Sequence, residues 1–344
     1  MKKQTLTPRL EEFIKVIRRK RLDCAIVRDQ ANVRALTGID CDNALLFVAA
    51  DGTVVFHTDF RYIPMAHRVA PWLKTKDIKK FKASGKRIGY ESNMSVSNFE
   101  KMKKQAKKAV FVDVLNPLYD IRSVKTEDEI VRLKAAAALN DKLWAMAQKE
   151  FKPGMTELQM ARIIRHMMIE HGEGEAFDTI VCVGPNAAEC HHVPDDTVWD
   201  GKQPVLVDMG VRLGGYCSDM TRNIVPRTAT KRYREVYQAV LDANLAAIAA
   251  AKPGITAGDL DKVARDVLAK RGLAKAFGHS LGHGVGIEIH EAPVVAKKQK
   301  TKLKVGMVHS IEPGAYLEND LGVRIEDLVL ITPDGCELLS HSKK

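Results

Sequence analysis

The sequence has no stretch close to the roughly 20 apolar residues that a membrane-spanning helix needs, which excludes an integral helical membrane protein. It has no recognisable export signal. Met1-Lys2-Lys3-Gln4-Thr5-Leu6-Thr7-Pro8 is basic but has no apolar core behind it, and Glu11 and Glu12 follow at once. Its six cysteines (Cys24, Cys41, Cys182, Cys190, Cys217, Cys336) are scattered, without a Cys-x-x-Cys pair. Reduced thiols and a cytoplasmic location are the expectation. Aromatic residues are few, at 6%, and this bears on the net charge of +11, which invites a nucleic-acid reading. Lysines cluster in 101–108 and 297–304, but without the interleaved aromatics of a single-strand platform, and no zinc finger accompanies them. The first cluster reads as the solvated face of a helix. Neither a nucleic acid nor a membrane is expected as a partner.

What is present fits a soluble globular protein of one large or two medium domains: 344 residues, 45% hydrophobic and 28% charged. Leu10, Phe13, Ile14 and Ile17 recur at helical spacing and predict a helix over 8–20. Short strands are expected at 24–27, 44–49, 53–58, 87–90 and 110–114, with Asp51-Gly52 turning a hairpin. Helices are expected near 62–69 and 97–108. The alternation suggests a compact α/β domain. Within it, Asp59-Phe60-Arg61-Tyr62 reads as a helix N-cap by Asp59 beside a surface arginine. Residues 116–125 read as a linker, and Thr126-Glu127-Asp128-Glu129 as a capping box opening a long helix to about Phe151.

Beyond that point the sequence repeats itself. Lys152-Pro153-Gly154-Met155-Thr156 returns as Lys252-Pro253-Gly254-Ile255-Thr256, and the register holds through Arg165 and Arg265, Gly172 and Gly272, and Phe177 and Phe277. In both copies Thr156 or Thr256 is the natural N-cap of a following helix. Two helix-plus-strand units facing each other would place a cleft on their pseudo-two-fold axis. Further helices, near 232–251 and 257–271, would cover the outside of the sheet.

The chemistry gathers around that axis. Val205-Leu206-Val207-Asp208 is a buried-strand pattern ending on a carboxylate, and after Gly214-Gly215 a second carboxylate, Asp219, returns. Asp208 and Asp219 are expected to face each other across this hairpin. His283 lies in Gly-His-Gly-Val-Gly, where glycines admit close backbone approach. Glu312 and Glu326 sit in apolar, strand-like settings, and a carboxylate there is costly unless a cation or donor meets it. Four carboxylates and one imidazole make a hard, oxygen-rich site for two divalent ions, Mn²⁺ ahead of Co²⁺ or Zn²⁺. Two ions ~3.5–4 Å apart can share a hydroxide and polarise a carbonyl. His191, His279 and His290 are left over for substrate, and Glu312 is the better candidate for moving protons. His192, beside Pro194, is a further candidate for substrate binding.

In this order, Asp208, Asp219, His283 in His-Gly-x-Gly, Glu312 in Ile-Glu-Pro-Gly and Glu326 in Arg-Ile-Glu-Asp closely resemble the ligands of the pita-bread metallopeptidases, in the branch with aminopeptidase P and prolidase. The resemblance covers nearly the whole chain, including Asp-Phe-Arg-Tyr at 59–62 and the Arg-x-x-Lys-Thr-x-x-Glu-Ile stretch at 122–130. It implies an α/β creatinase-like N-terminal domain over 1–120, then an α+β pita-bread catalytic domain over 121–344 with an internal pseudo-two-fold duplication. It implies Glu312 as catalytic carboxylate, and His191 and His290 as catalytic histidines that steady the tetrahedral intermediate. His191 is preferred to His192 because it stands 17 positions before Asp208, as in relatives. Arg324 is implied to support the site or to meet a substrate carboxylate. The implied activity is an Xaa-Pro aminopeptidase on proline-containing peptides, with an Xaa-Pro dipeptidase as the alternative, and a homodimer as the assembly. A non-catalytic binding module would have lost ligands, and none is missing.

Overall fold

A computed structural model describes residues 6–344. The chain divides into two units, one ending at Arg122 and the other running Ser123–Lys344. No helix of the described residues is long and apolar enough to cross a membrane. All six cysteines are free.

The first unit opens with α1 (Pro8–Arg19). The Thr7 hydroxyl accepts from the Leu10 N–H at 3.2 Å, and Pro8 occupies the first turn, where no N–H is required. Leu10, Phe13, Ile14 and Ile17 form the buried face, as their spacing predicts. A six-stranded sheet follows: β1 (Cys24–Val27), β2 (Ala44–Ala49), β3 (Val54–Thr58), β4 (Lys74–Asp77), β5 (Arg87–Tyr90) and β6 (Val110–Asp113), in the order β4-β3-β2-β1-β5-β6. Every residue of β1 is buried, because the strand is central and pairs on both edges. Helices α2 (Gln30–Thr37), α3 (Ile63–Val69), α4 (Val96–Gln105) and α5 (Leu115–Ser123) complete the alternation.

Four local features depart from the sequence reading. Helix α2 has only a cap for a signal: Asp29 accepts from the Asn32 N–H at 3.0 Å. Strand β4, Lys-Thr-Lys-Asp, has no apolar pattern and exists through its parallel pairing with β3. The expected linker at 116–125 is largely helix α5, in which Pro117 sits in the first turn and costs no hydrogen bond. Asp59 does not cap α3, whose N-cap is Tyr62 without a side-chain bond. Asp59 instead grips Arg61 through its Nε and terminal nitrogen, at 2.9 and 2.7 Å.

The second unit realises the duplication. Long helix α6 (Glu127–Glu150) precedes α7 (Glu157–His171), and long helix α8 (Lys231–Ala250) precedes α9 (Ala257–Lys270). Thr156 and Thr256 cap α7 and α9, and Thr126 and Glu129 form the expected capping box on α6. Gly154 and Gly254 both turn at positive φ (+95° and +87°), and their N–H groups donate to the carbonyls of Trp199 and Leu303. Strands β7 (Ile180–Val183), β8 (Val205–Met209) and β11 (Met220–Ile224) form an antiparallel sheet ordered β11-β8-β7, and a small hairpin, β9 (Arg212–Leu213) with β10 (Tyr216–Cys217), sits at its tip. The second copy matches it with β12 (Gly282–Gly284), β14 (Val308–Ile311) and β17 (Asp327–Thr332). Strands β13 (Glu291–Val295) and β18 (Gly335–Leu338) flank these in the order β13-β12-β14-β17-β18, and β15 (Gly314–Leu317) pairs separately with β16 (Leu321–Arg324). Apolar faces of α8 and α9 pack on the second sheet through Val236, Val240, Leu260, Leu268, Val329 and Ile331. A duplicated α+β unit preceded by an α/β unit is the architecture that the resemblance implies.

Candidate active site

Each copy contributes two carboxylates from one pair of neighbouring strands. In the first, Asp208 lies on the wholly buried strand β8, and Asp219 stands immediately before β11. Asp208 is opposite Thr221, not Asp219, because β8 and β11 pair in that register. The two aspartates reach the same cavity without facing each other directly across the ladder. In the second copy Glu312 follows β14 and Glu326 precedes β17. His283 lies at the centre of β12.

These five side chains converge. His283 Nε2 is 3.5 Å from Asp219 Oδ2 and 3.3 Å from Glu312 Oε1. Single ligand atoms of Asp219, His283 and Glu326 lie within 4.8 Å of one another. His283 Nδ1 points to the Gly284 carbonyl at 3.2 Å, which fixes that nitrogen as the N–H and leaves the Nε2 lone pair for a ligand bond. The Ser310 hydroxyl donates to Glu312 Oε1 at 3.0 Å, and the Thr221 hydroxyl donates to Glu326 Oε2 at 2.7 Å. Oδ1 of Asp208 is buried and has no hydrogen-bond donor. Such an acceptor is expensive to bury, and a divalent cation would satisfy it. The donor set therefore fits hard divalent ions.

Electrostatics agree with that fit. Burial, then the facing carboxylates, push Asp219 and Glu326 well above the ordinary carboxylate range. Burial also raises Asp208, with Arg324 pulling against it. Glu312 goes the other way: burial would raise it, but the His283 hydrogen bond and the charges of His283, His279 and Arg324 hold it low.

Arg324 is the clamp of the site and is only 3% exposed. Its guanidinium donates to Asp208 Oδ2 at 2.7 Å, the Thr221 hydroxyl at 3.0 Å, the Tyr316 hydroxyl at 2.9 Å and the Cys190 carbonyl at 3.2 Å. The Tyr316 hydroxyl is also 2.9 Å from His279 Nε2, while His279 Nδ1 is 2.8 Å from the Ser280 carbonyl. Both nitrogens of His279 are engaged, burial lowers its pKa, and its Nδ1 lies 4.0 Å from Glu312.

The remaining histidines differ in freedom. The His290 ring meets His283 edge to face, with centroids 4.3 Å apart. The β12–β13 turn brings it there, through a register shift between His283 and Gly284. A Cβ at Gly286 in that turn would fall 2.2 Å from Glu291 Oε1, so any larger residue there would displace that carboxylate. Glu291 in turn forms a buried ion pair with Lys125 at 2.5 Å. His191 is exposed on the rim. His192 is not exposed: its Nε2 lies 2.7 Å from Glu157 Oε2 and its Nδ1 3.4 Å from Glu189. Glu157, His192 and Asp195 could by proximity hold a second metal. Glu157, however, also accepts from the N–H groups of Val183 and Asp195 and from the Asn186 amide, at 2.6, 3.1 and 2.9 Å. Both its oxygens are committed, and the cluster works as an anchor for the loop bearing His191.

All of these catalytic and substrate-binding candidates except Arg324's partner Tyr316 line one cavity of about 690 Å³, with Phe177, Ile180, Val193 and Ile289 as apolar wall. Tyr316, Thr221 and Ser310 escaped the sequence reading. Ser310 and Tyr316 stand at even offsets from Glu312, the weak sign of a shared face.

A model of metallopeptidase family M24 matches residues 131–333, and a model of the creatinase/prolidase N-terminal domain matches residues 9–124. The chain is 34% identical to an Xaa-Pro dipeptidase of Pyrococcus furiosus over 343 residues, 98% of each protein. It is 33% identical to an uncharacterized peptidase of Staphylococcus epidermidis, over 98% of this chain and 99% of that one. Among solved structures, the prolidase from Pyrococcus horikoshii aligns with a TM-score of 0.94 at 32% identity, covering 98% of this chain and 99% of that one. An X-Pro aminopeptidase from Thermotoga maritima aligns with a TM-score of 0.87 at 29% identity, over 97% of each. With two family models in tandem and near-complete coverage by relatives, the chain belongs to metallopeptidase family M24 and carries the creatinase/prolidase N-terminal domain.

Proposed function

We propose that this hydrolase is an Xaa-Pro dipeptidase that uses two divalent ions, Mn²⁺ foremost. The observation that carries the reading is the convergence of Asp208, Asp219, His283, Glu312 and Glu326 in a chain whose full length is matched by proteins named Xaa-Pro dipeptidase. The sequence alone ranks aminopeptidase first, and the relatives favour the reverse order. The aminopeptidase reading keeps one specific support, the likeness to the Thermotoga maritima enzyme.

The five residues would hold the ions, with Asp208 Oδ1 taking a cation in place of the missing donor. When bound, the ions supply Lewis acidity for hydrolysis of the peptide bond. Glu312, which lines the cavity beside His283, takes the proton from water and passes it to the proline nitrogen as the amine leaves. His290 and His191 donate to the scissile carbonyl oxygen as charge develops on it. His279, held between Tyr316 and Ser280, orients substrate beside Glu312. Arg324 holds Asp208 in place, and His192 holds the loop of His191. A homodimer and a cytoplasmic location belong to the same proposal.

The test is a panel of Xaa-Pro dipeptides, Xaa-Pro-Xaa tripeptides and longer peptides with proline second, given to chelator-stripped protein restored with Mn²⁺, Co²⁺ or Zn²⁺. Dipeptides should be cleaved far faster than the rest, with Mn²⁺ restoring most activity. Preference for the longer peptides would make it an aminopeptidase. No cleavage of any peptide would leave a binding module.

A further inference from the structure

The two repeats place an arginine at the same position, Arg165 on α7 and Arg265 on α9, but use it differently. In the second copy the guanidinium is spent. Arg265 takes both oxygens of Asp261, at 2.6 and 3.0 Å, and donates to the carbonyls of Phe277 and His279. It also lies over the Phe277 ring, 4.2 Å from the centroid. In the first copy the counterpart of Asp261 is Ala161, and the counterpart of Lys275 is Glu175. The carboxylate has moved from the helix to the loop. Arg165 meets it through Nε alone, 2.9 Å from Glu175 Oε1. That oxygen also accepts the Thr179 N–H and hydroxyl, at 2.9 and 2.7 Å. Among the described residues, the two terminal nitrogens of Arg165 have no hydrogen-bond acceptor.

Arg165 lines the cavity that contains the ligand candidates, beside Phe177 and Thr179. Its side chain is 33% exposed. The other permanent cation on that wall is Arg324, buried and already committed to Asp208, Thr221, Tyr316 and the Cys190 carbonyl. One held, partly open guanidinium fork thus faces a cavity otherwise rich in carboxylates and imidazoles. Such a fork matches a planar carboxylate with two parallel hydrogen bonds.

We propose that Arg165 anchors the free C-terminal carboxylate of the substrate, and so selects peptides that end immediately after proline. This rests on the Xaa-Pro dipeptidase reading. The Nε bond to Glu175 fixes the plane of the fork, so the two terminal nitrogens present as a pair. A substrate extended beyond proline has a neutral amide at that place and forfeits the charge-assisted pair.

The experiment uses the Mn²⁺-loaded enzyme as wild type, Arg165→Met and Arg165→Lys, with Ala-Pro and its C-terminal amide as paired substrates. Arg165→Met should raise KM for Ala-Pro roughly 10- to 100-fold, as for loss of a charged hydrogen-bond pair, with kcat within a few-fold. The amide should lose far less, and Arg165→Lys should recover part of the loss. Equal losses on both substrates, or none on Ala-Pro, would overturn the assignment. Melting temperature and metal content identify a misfolded variant, in which case Arg165→Lys alone decides by the same acid-to-amide ratio. If the wild type cleaves neither substrate, the dipeptidase reading has failed by itself. Calorimetric titration with L-proline and L-prolinamide then decides the arginine separately. Tighter binding of proline by wild type, abolished in Arg165→Met, supports the anchor, and equal binding of the two by wild type refutes it.

Discussion

Asn140 and Asn244 do comparable work from the two long helices, one turn apart in the repeat register: each is buried and donates its side-chain amide to the end of a site strand. Asn140 Nδ2 reaches the Met209 carbonyl at 2.9 Å, next to Asp208. Asn244 Nδ2 reaches the carbonyls of Ile311 and Ile325 and Oδ2 of Asp327, at 3.1, 3.3 and 3.0 Å, next to Glu312 and Glu326. Peptide carbonyls at the ends of strands have no ladder partner, so a helix side chain supplies the donor. The candidate metal ligands are therefore fixed from behind by the helices.

Asn244→Leu should weaken both the fold and metal binding. It leaves buried acceptors without their donor, at about 1–3 kcal/mol. Urea denaturation should show a loss of that size, and chelator competition should show weaker metal retention, because Glu312 and Glu326 lose their backing. Asn140→Leu, with one such bond removed, should do less. Unchanged metal retention in Asn244→Leu would show that the strand ends are held by other means.

Glu312→Gln should nearly abolish turnover while substrate affinity stays near normal, since a neutral amide cannot take the proton. Glu326→Ala should instead strip metal, measurable as stoichiometry after dialysis. A kcat for Glu312→Gln within a few-fold of wild type would remove Glu312 as the proton carrier.

His290→Ala should lower kcat by roughly two to three orders of magnitude, as for one lost oxyanion donor, with little change in metal content. The ring packs edge to face on His283 yet is not among the grouped ligand atoms. If His290 only packs, the variant will melt earlier but keep its turnover per folded molecule.

His192 predicts a pH-dependent contribution to stability. Burial opposes its charge, but the hydrogen bond and charge of Glu157, then Glu189 and Asp195, raise it above the ordinary value of 6.5. The folded state therefore binds this proton more tightly than the unfolded state. The stabilisation is fully present below pH 6.5 and is lost as pH rises through the higher folded value. The Tm gap between wild type and His192→Gln should be wider at about pH 6 than at about pH 9. A gap that widens with pH would mean the imidazole is buried neutral.

The sequence was most legible where burial and chemistry conflict. Asp208 in Val-Leu-Val-Asp and Glu326 in Val-Arg-Ile-Glu stand out because an apolar strand has no use for a carboxylate. The capped helices after Thr126, Thr156 and Thr256 were legible for a local reason, the cap chemistry itself. Features that depend on distant partners were not. Strand β4 needs β3 beside it, and Asp59 bonds the Arg61 guanidinium and backbone N–H rather than a helix end. The pairing of Asp208 with Thr221 depends on strand register, which the hairpin β9–β10 sets. Thr221, Ser310 and Tyr316 are ordinary polar residues in sequence, and only the folded site gives them a role.

The distribution of the candidate ligands between the two copies suits this chain to being split. Asp208 and Asp219 lie before the exposed turn at Arg227 and Thr228, and His283, Glu312 and Glu326 lie after it. A cut in that turn removes no strand or helix, since β11 ends at Ile224 and α8 begins at Lys231. Neither fragment then owns all five candidate ligands. Co-expressed halves should regain activity only on reassembly, so that hydrolysis reports complementation.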